Sequence, residues 1–317
     1  MNRCESKTEV AVEKAIAWLV TQQDENGCFK GKHKNTYTAL SCMALMSAGY
    51  FPGCSVYGEN IRKGIMFLTT AAQKENGYFG YDGGTMYAHG ICCLALTEAY
   101  GIMPEQEDNT RIRNALSAGL KVIISSQRQN RDVHFGGWRY KPDGKDSDLS
   151  VTAWQILALR SAQNCMIDLP QKTIDDALLY IHSCYNEKIP GFCYMPGAGE
   201  SPAMRTAGAV CLMALGANNS EDDKNKILKS TEFLKKGKVP ESNHFYYMCY
   251  YLINASNMLG DECRKAMIPP IEEKLLSLQK ETGEFEKYSG FDGGVYSTAF
   301  SIICLTVSNQ YLPIFQE

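Results

Sequence analysis

One pattern recurs six times along this chain of 317 residues: a helix-like run, a turn rich in glycine and aromatic residues, then a second run of small and apolar residues. The first unit reads AIAWLVTQQDENGCF, then TYTALSCMALMSAGY. The third reads GLKVIISSQRQNRDVHFGGWRY, then LSVTAWQILALRSAQ, and the sixth reads EKLLSLQKETGEFEKY, then GVYSTAFSIICLTVS. Turn glycines fall at Gly27, Gly77, Gly136, Gly191 and Gly283, with Asn243 standing where the fifth unit's would be. Repeats of this size are stacked helical units, none of which can bury its apolar face alone.

The two runs of a unit differ in kind. In the first, Ile16, Leu19 and Val20 alternate with Glu13, Lys14 and Gln23, the pattern of a helix with one wet face. The second, as in TALSCMALMSAG or TAGAVCLMALGA, is nearly free of charge, and a helix apolar on all sides is a buried one. Alternating wet and buried helices predict two concentric layers. An open superhelix needs polar terminal repeats. The last unit instead ends in the apolar run YLPIF, so the expected fold is all-α, an α6/α6 toroid formed as a single domain over residues 1–317.

A net charge of −3 with acids and bases interspersed argues against nucleic acid or an anionic membrane as partner. No apolar run reaches membrane-spanning length, and MNRCESKTEV lacks a signal-peptide core. The 13 cysteines are odd in number and form no CxxC pair. Many, such as Cys42, Cys92, Cys93, Cys211 and Cys304, lie in apolar runs where Cys acts as a small hydrophobe. This composition fits a reducing compartment and a cytoplasmic location rather than a disulfide framework. Nothing in the sequence calls for a cofactor or a metal.

Three turns carry the chemistry. One runs from Gly80 through Tyr81, Asp82, Gly83, Gly84 and Tyr87 to His89. A second holds Trp138, Arg139 and Tyr140, then Asp146, Asp148 and Trp154. A third holds Asp292, Gly293, Gly294 and Tyr296. Each acid has two readings, a helix cap or a functional carboxylate. His89, inside an apolar helix, is a core residue or a tuned acid-base group. Tyrosines gather where the second helices begin, Tyr246 and Tyr247 among them; they suit an aromatic-lined apolar pocket or core packing equally.

The turn-helix pairs resemble the prenyltransferase and squalene-oxidase repeats shared by triterpene cyclases and protein prenyltransferase β subunits. The resemblance covers almost the whole chain and is sharpest in MYAHGICCLALTEAYG, FGGWRYKPDGKDSDLSVTAWQILALRSA and VYSTAFSIICLTVSNQYLPIF. It implies an apolar, isoprenoid-like ligand in a central cavity. Class II cyclases protonate their substrate with the middle acid of Asp-x-Asp-Asp; here Asp146-Ser147-Asp148-Leu149 holds two of the three acids, and Asp148 matches the donor. Anchoring the match on Trp154 instead puts Ser147 at the donor position. On the cyclase reading Asp148 is the acid, Asp146 and His89 tune it, and Tyr81, Asp82, Tyr87, Trp138, Arg139, Trp154, Tyr246, Tyr247, Asp292 and Tyr296 contact the ligand. Such cyclases also use a second helical domain, here to be supplied in trans. The β-subunit zinc segment Phe-Tyr-His-x-Cys-Tyr corresponds to Phe245-Tyr246-Tyr247-Met248-Cys249-Tyr250, with Tyr247 replacing the ligand His, so no zinc is expected there. Three functions stay open: a cyclase- or mutase-like isomerase, a non-catalytic module binding a lipid, peptide or protein, and a carbohydrate-active toroid that would need paired carboxylates.

Overall fold

The computed structural model describes residues 6–216, 220–288 and 293–315. Among the described residues, twelve α-helices form six pairs. The outer members are α1 (Lys7–Val20), α3 (Gly58–Thr70), α5 (Gln106–Ser126), α7 (Gln171–Ser183), α9 (Glu221–Thr231) and α11 (Asp261–Leu276). The inner members are α2 (Lys34–Ser47), α4 (Thr85–Ala99), α6 (Leu149–Asn164), α8 (Pro202–Ala214), α10 (Phe245–Met258) and α12 (Val295–Thr306). Each inner helix packs on the next, and α12 packs on α2, which closes the ring. All but one residue of α2 is buried, whereas α1 buries one stripe of Ala11, Val12, Ala15, Ile16 and Leu19. The only described strands are a short hairpin in unit four, β1 (Tyr185–Asn186) and β2 (Gly191–Phe192). No helix among the described residues is long and apolar enough to cross a membrane.

Two devices join one unit to the next. The first is a glutamine at the end of the outer helix. Gln23 Nε2 donates to the Gly27 carbonyl (2.9 Å) and to the Asn60 carbonyl of α3 (2.8 Å). Gln73 links Gly77 to Ala115, and Gln127 links Gly136 to Thr173, in the same way. Gln279 donates to Gly283 and to the Ala11 carbonyl of α1 (2.7 Å), so the bond that joins consecutive units also joins the sixth to the first.

The second device is the turn glycine itself. Gly27, Gly77, Gly136 and Gly283 all have φ between +84° and +96°. A Cβ on Gly136 would lie 1.9 Å from the Asp176 carbonyl oxygen, and one on Gly283 would lie 2.2 Å from that of Lys14. No side chain fits, and an L-residue disfavours this φ. The fifth unit departs from the sequence expectation: its glycine against the next outer helix is Gly237 (φ +60°), facing Ala266, rather than a residue at Asn243. Gly191 is not at positive φ; it lies in the hairpin against the Arg205 side chain.

Candidate functional site

After each of four regular turn glycines, an aromatic residue points into the core and its backbone N–H needs a partner. Phe29, Trp138 and Phe285 donate to the hydroxyls of Thr38 (2.9 Å), Thr152 (3.0 Å) and Thr298 (3.0 Å) on the following inner helix. In unit two the donor is Phe79 and the acceptor is His89 Nδ1 (3.3 Å). His89 Nε2–H in turn donates to the Gly119 carbonyl of α5 (3.0 Å). The ring is fully buried, both nitrogens are used by backbone, and burial holds its pKa down at about 4. His89 thus faces α5 and fills a threonine's structural place; no contact joins it to Asp148.

Asp148 is the N-cap of α6 and has no exposed surface. Its Oδ1 accepts from the Val151 N–H (2.8 Å) and the Ser150 hydroxyl (2.6 Å). Its Oδ2 accepts from Arg139 Nη1 (2.7 Å). Burial raises the carboxyl above its ordinary range, while Ser150, Val151, Arg139 and the Tyr194 hydroxyl pull against that rise. Burial likewise opposes the charge on Arg139, but Asp148 and the Tyr194 and Tyr140 phenols outweigh it and hold the guanidinium above its ordinary value. Donors on both carboxylate oxygens favour the ionised form and define an ion pair. Half-exposed Asp146 takes the other side of the same guanidinium, Nε to Oδ2 at 3.2 Å.

Arg139 also stacks on Tyr140, 4.4 Å from the ring centroid, and donates to the Tyr194 hydroxyl (2.9 Å), which is 2.7 Å from that of Tyr140. The Tyr87 hydroxyl meets Ser150 Oγ in a short hydrogen bond, giving a chain from Tyr87 through Ser150 to Asp148. Burial and the Asp148 charge push the Tyr87 phenol well up, so it stays protonated. Tyr247, on α10, donates to the Ser150 carbonyl (3.4 Å). The loop beneath is fixed by buried Arg128, which donates to the carbonyls of Ser126, Lys141, Pro142 and Asp146.

Deeper in the ring the aromatics meet across it. Trp154 of α6 stacks on Tyr250 (centroids 5.0 Å) and reaches Phe300 of the opposite helix α12 (6.4 Å). Trp154, Tyr250 and Phe300 are all nearly inaccessible and form a floor. Toward the N-terminal ends of the inner helices, half-buried Tyr247 and Tyr296 pack on Trp154 and Phe300 and half-buried Tyr87 packs on Tyr140; this end of the ring, with Tyr194, is its mouth.

The other candidates lie elsewhere. Trp138 is a core anchor, its indole N–H donating to the Ile123 carbonyl (2.7 Å), and buried Tyr246 donates to the Glu286 carbonyl. Asp82 does not cap α4, the helix it precedes; it accepts from the Gly84 N–H of its own turn and from the Asn35 N–H in the first turn of α2, and Tyr81 donates outward to the Ala71 carbonyl under Lys74. Asp292 lies outside the described residues. Tyr194 and Ser150 belong to the site but did not stand out in the sequence. The repeat offered a signal for Tyr194, because Gly191-Phe192-Cys193-Tyr194 parallels Gly137-Trp138-Arg139-Tyr140.

Comparison with known proteins now settles the lineage. The prenyltransferase alpha-alpha toroid domain family matches residues 1–137, 141–241 and 232–316. The chain belongs to this family. Among solved structures, type II terpene cyclase MstE from Scytonema is 15% identical with a TM-score of 0.61, covering 96% of this chain and 99% of that one. Cellobiose 2-epimerase from Bacillus thermoamylovorans B4167 is 13% identical with a TM-score of 0.71, covering 96% and 98%. Candida albicans protein geranylgeranyltransferase-I, complexed with GGPP, is 12% identical with a TM-score of 0.61, covering 96% and 95%. No curated protein sequence matches the chain. At these identities the likeness is one of fold.

The zinc site of the family's β subunits does not fit the residues present. Tyr247 stands in the histidine's place and donates to a backbone carbonyl, and burial pushes the Cys249 thiol far above its ordinary value. A phenol bonded to a backbone carbonyl and a thiol in the core do not supply the converging N, S and O donors that zinc takes.

Proposed function

We propose that this toroid is a terpenoid-cyclase-like protein, working as one domain, whose tyrosine-lined mouth binds an apolar, isoprenoid-like ligand. The observation that carries this reading is the contrast between polar and aromatic groups at the mouth. Asp148, Asp146 and Arg139 satisfy one another, and Arg205 is spent on the Ser230 and Lys229 carbonyls. Tyr87, Tyr247 and Tyr296 offer aromatic faces over an aromatic floor. Such a surface suits an unsaturated hydrocarbon. The shared fold of MstE, solved with geranylgeranyl dihydroxybenzoate, is consistent with it. A cytoplasmic setting is part of the proposal, since the described cysteines are all free.

A second reading, acid-initiated isomerisation, rests on the hydroxyl chain from Tyr87 to Asp148. In the arrangement seen, both Asp148 oxygens accept hydrogen bonds, so binding without catalysis is the reading the geometry favours. Among the described residues, facing free carboxylates, which a glycosidase needs, are not formed at this mouth. The test is native mass spectrometry with squalene, polyprenols of graded length, cell lipid extract and cellobiose. Retention of an isoprenoid, weakened by Tyr247→Ala, is expected. Retention of cellobiose alone, or of nothing, overturns the proposal. A mass-neutral conversion seen by gas chromatography and lost in Asp148→Asn would establish the isomerase reading.

A further inference from the structure

The junction between units four and five lacks the glutamine bridge among the described residues. Tyr185 takes the glutamine's place, pairing with Phe192 as Gln23 and Gln279 pair with Phe29 and Phe285, and in the last turn of α7 His182 faces Asp222 and Asp223 in the first turn of α9. One candidate ligand atom from each of the three lies within 4.8 Å of the others. Asp223 is more than nine-tenths buried, and its Oδ1 has no hydrogen-bond partner. Its Oδ2 is occupied by the Ser220 hydroxyl, which also caps α9. The unpartnered oxygen lies 3.4 Å from His182 Nε2, and His182 Nδ1 is likewise without a partner.

A buried carboxylate oxygen left without a donor is costly unless something positive meets it. The spacing names that something. Two ligand atoms held about 2.0–2.1 Å from a tetrahedral ion stand about 3.3–3.4 Å apart. His182 Nε2 and Asp223 Oδ1 already have that separation. Asp222, on the exposed side, offers the third carboxylate, with an oxygen within 4.8 Å of the other two ligand atoms. It is paired in the structure with Lys226, whose ammonium competes for the same carboxylate.

We propose that His182, Asp222 and Asp223 form a divalent transition-metal site, of the kind zinc occupies, which pins unit four to unit five. An imidazole with two carboxylates is a zinc-type donor set, and three protein ligands leave one position for water. The site lies on the outer helices and is independent of the mouth. The ion would do at this junction what Gln127 does at the one before it.

The test is equilibrium titration of the folded, metal-stripped protein with zinc chloride in a Cys54→Ser background, which removes the thiol exposed among the described residues. Cobalt(II) serves as a spectroscopic check. One ion per chain is expected, with no thiolate-to-cobalt charge-transfer band, and with a melting midpoint raised by about 3–5 °C at a hundredfold excess over Kd. His182→Gln and Asp222→Asn should each weaken binding at least ~10-fold while circular dichroism stays native. Lys226→Met should tighten it a few-fold by releasing Asp222. Absence of stoichiometric binding at about 100 μM zinc overturns the proposal. So does binding that His182→Gln leaves unchanged, or a Lys226→Met variant that binds no tighter.

Discussion

Set the junction between units three and four beside the one that follows it. In the first, Gln127 threads between two backbone carbonyls and Gly136 lies flush against the Asp176 carbonyl, so one position calls for a double donor and the other excludes any side chain. In the second, the glycine sits in a hairpin at ordinary φ, and Arg205 reaches across to the Ser230 and Lys229 carbonyls of α9. The regular junction is held by backbone shape and a buried amide, the irregular one by long side chains and charge. Freed of the common constraint, unit four puts its turn to other uses: Tyr194 joins the mouth, and the outer surface gathers a histidine and two acids.

The contrast can be broken by substitution, and the glycines should show it most. Gly136→Ala forces a disfavoured φ and a backbone clash, and should cost about 3–5 kcal/mol in urea unfolding. Gly191→Ala, which meets the flexible Arg205 chain at 3.1 Å, should cost about 1 kcal/mol. Equal losses would erase the distinction.

The next largest effect tests the one regular turn whose threonine is replaced. His89, with a pKa of about 4 when folded against 6.5 when free, stabilises the fold fully above pH 6.5. That contribution, about 3 kcal/mol, is lost as pH falls toward 4, because the unfolded chain takes up the proton first. Glu98, on the same helix, is raised by burial from 4.5 to about 7 and acts with the opposite sign. Its contribution is present below pH 4.5 and lost as pH rises through 7. Between pH 4.5 and 6.5 the two slopes cancel. His89→Thr, which restores the acceptor found in units one, three and six, should therefore unmask stability that falls with rising pH. Glu98→Gln should unmask the reverse, and flat profiles from both variants would refute the assignment.

Smaller again, Gln127→Ala leaves two carbonyls unmet and should cost about 2 kcal/mol in chemical denaturation. His182→Gln in metal-free protein should change stability by no more than about 0.5 kcal/mol. A costly His182→Gln would mean that the histidine already serves as a clamp without an ion.

The closed two-layer ring was legible because helix polarity alternates strictly between wet and uncharged runs, a signal that survives without any motif. The clamp was less so. Gln23, Gln73 and Gln279 each stand four residues before their glycine, in plain view, yet a polar residue ending an amphipathic helix looks solvated until its partners are seen. The mouth was half legible. Arg139, Asp146 and Asp148 were found together because they are close in sequence, whereas Tyr194 comes from another unit. Trp138 and Tyr246 looked like ligand contacts because aromatic residue type does not reveal which way a ring faces. His89 misled for a related reason: the N–H it accepts is of the kind that a threonine hydroxyl accepts in the other regular turns, and that equivalence shows only when the turns are superposed.

Ring closure also sets an order of events at the ribosome. The Ala11 carbonyl receives its partner from Gln279, 268 positions further along the chain. At ordinary elongation rates of about 5–20 residues per second, α1 waits on the order of 15–50 s for that partner. Through this interval the apolar stripe of α1, with Ala15, Ile16 and Leu19, has no α11 or α12 to cover it. Helix α1 is thus made well before the elements that cover it and is among the last members of the ring to be sealed, its apolar stripe staying bare until α11 and α12 have emerged.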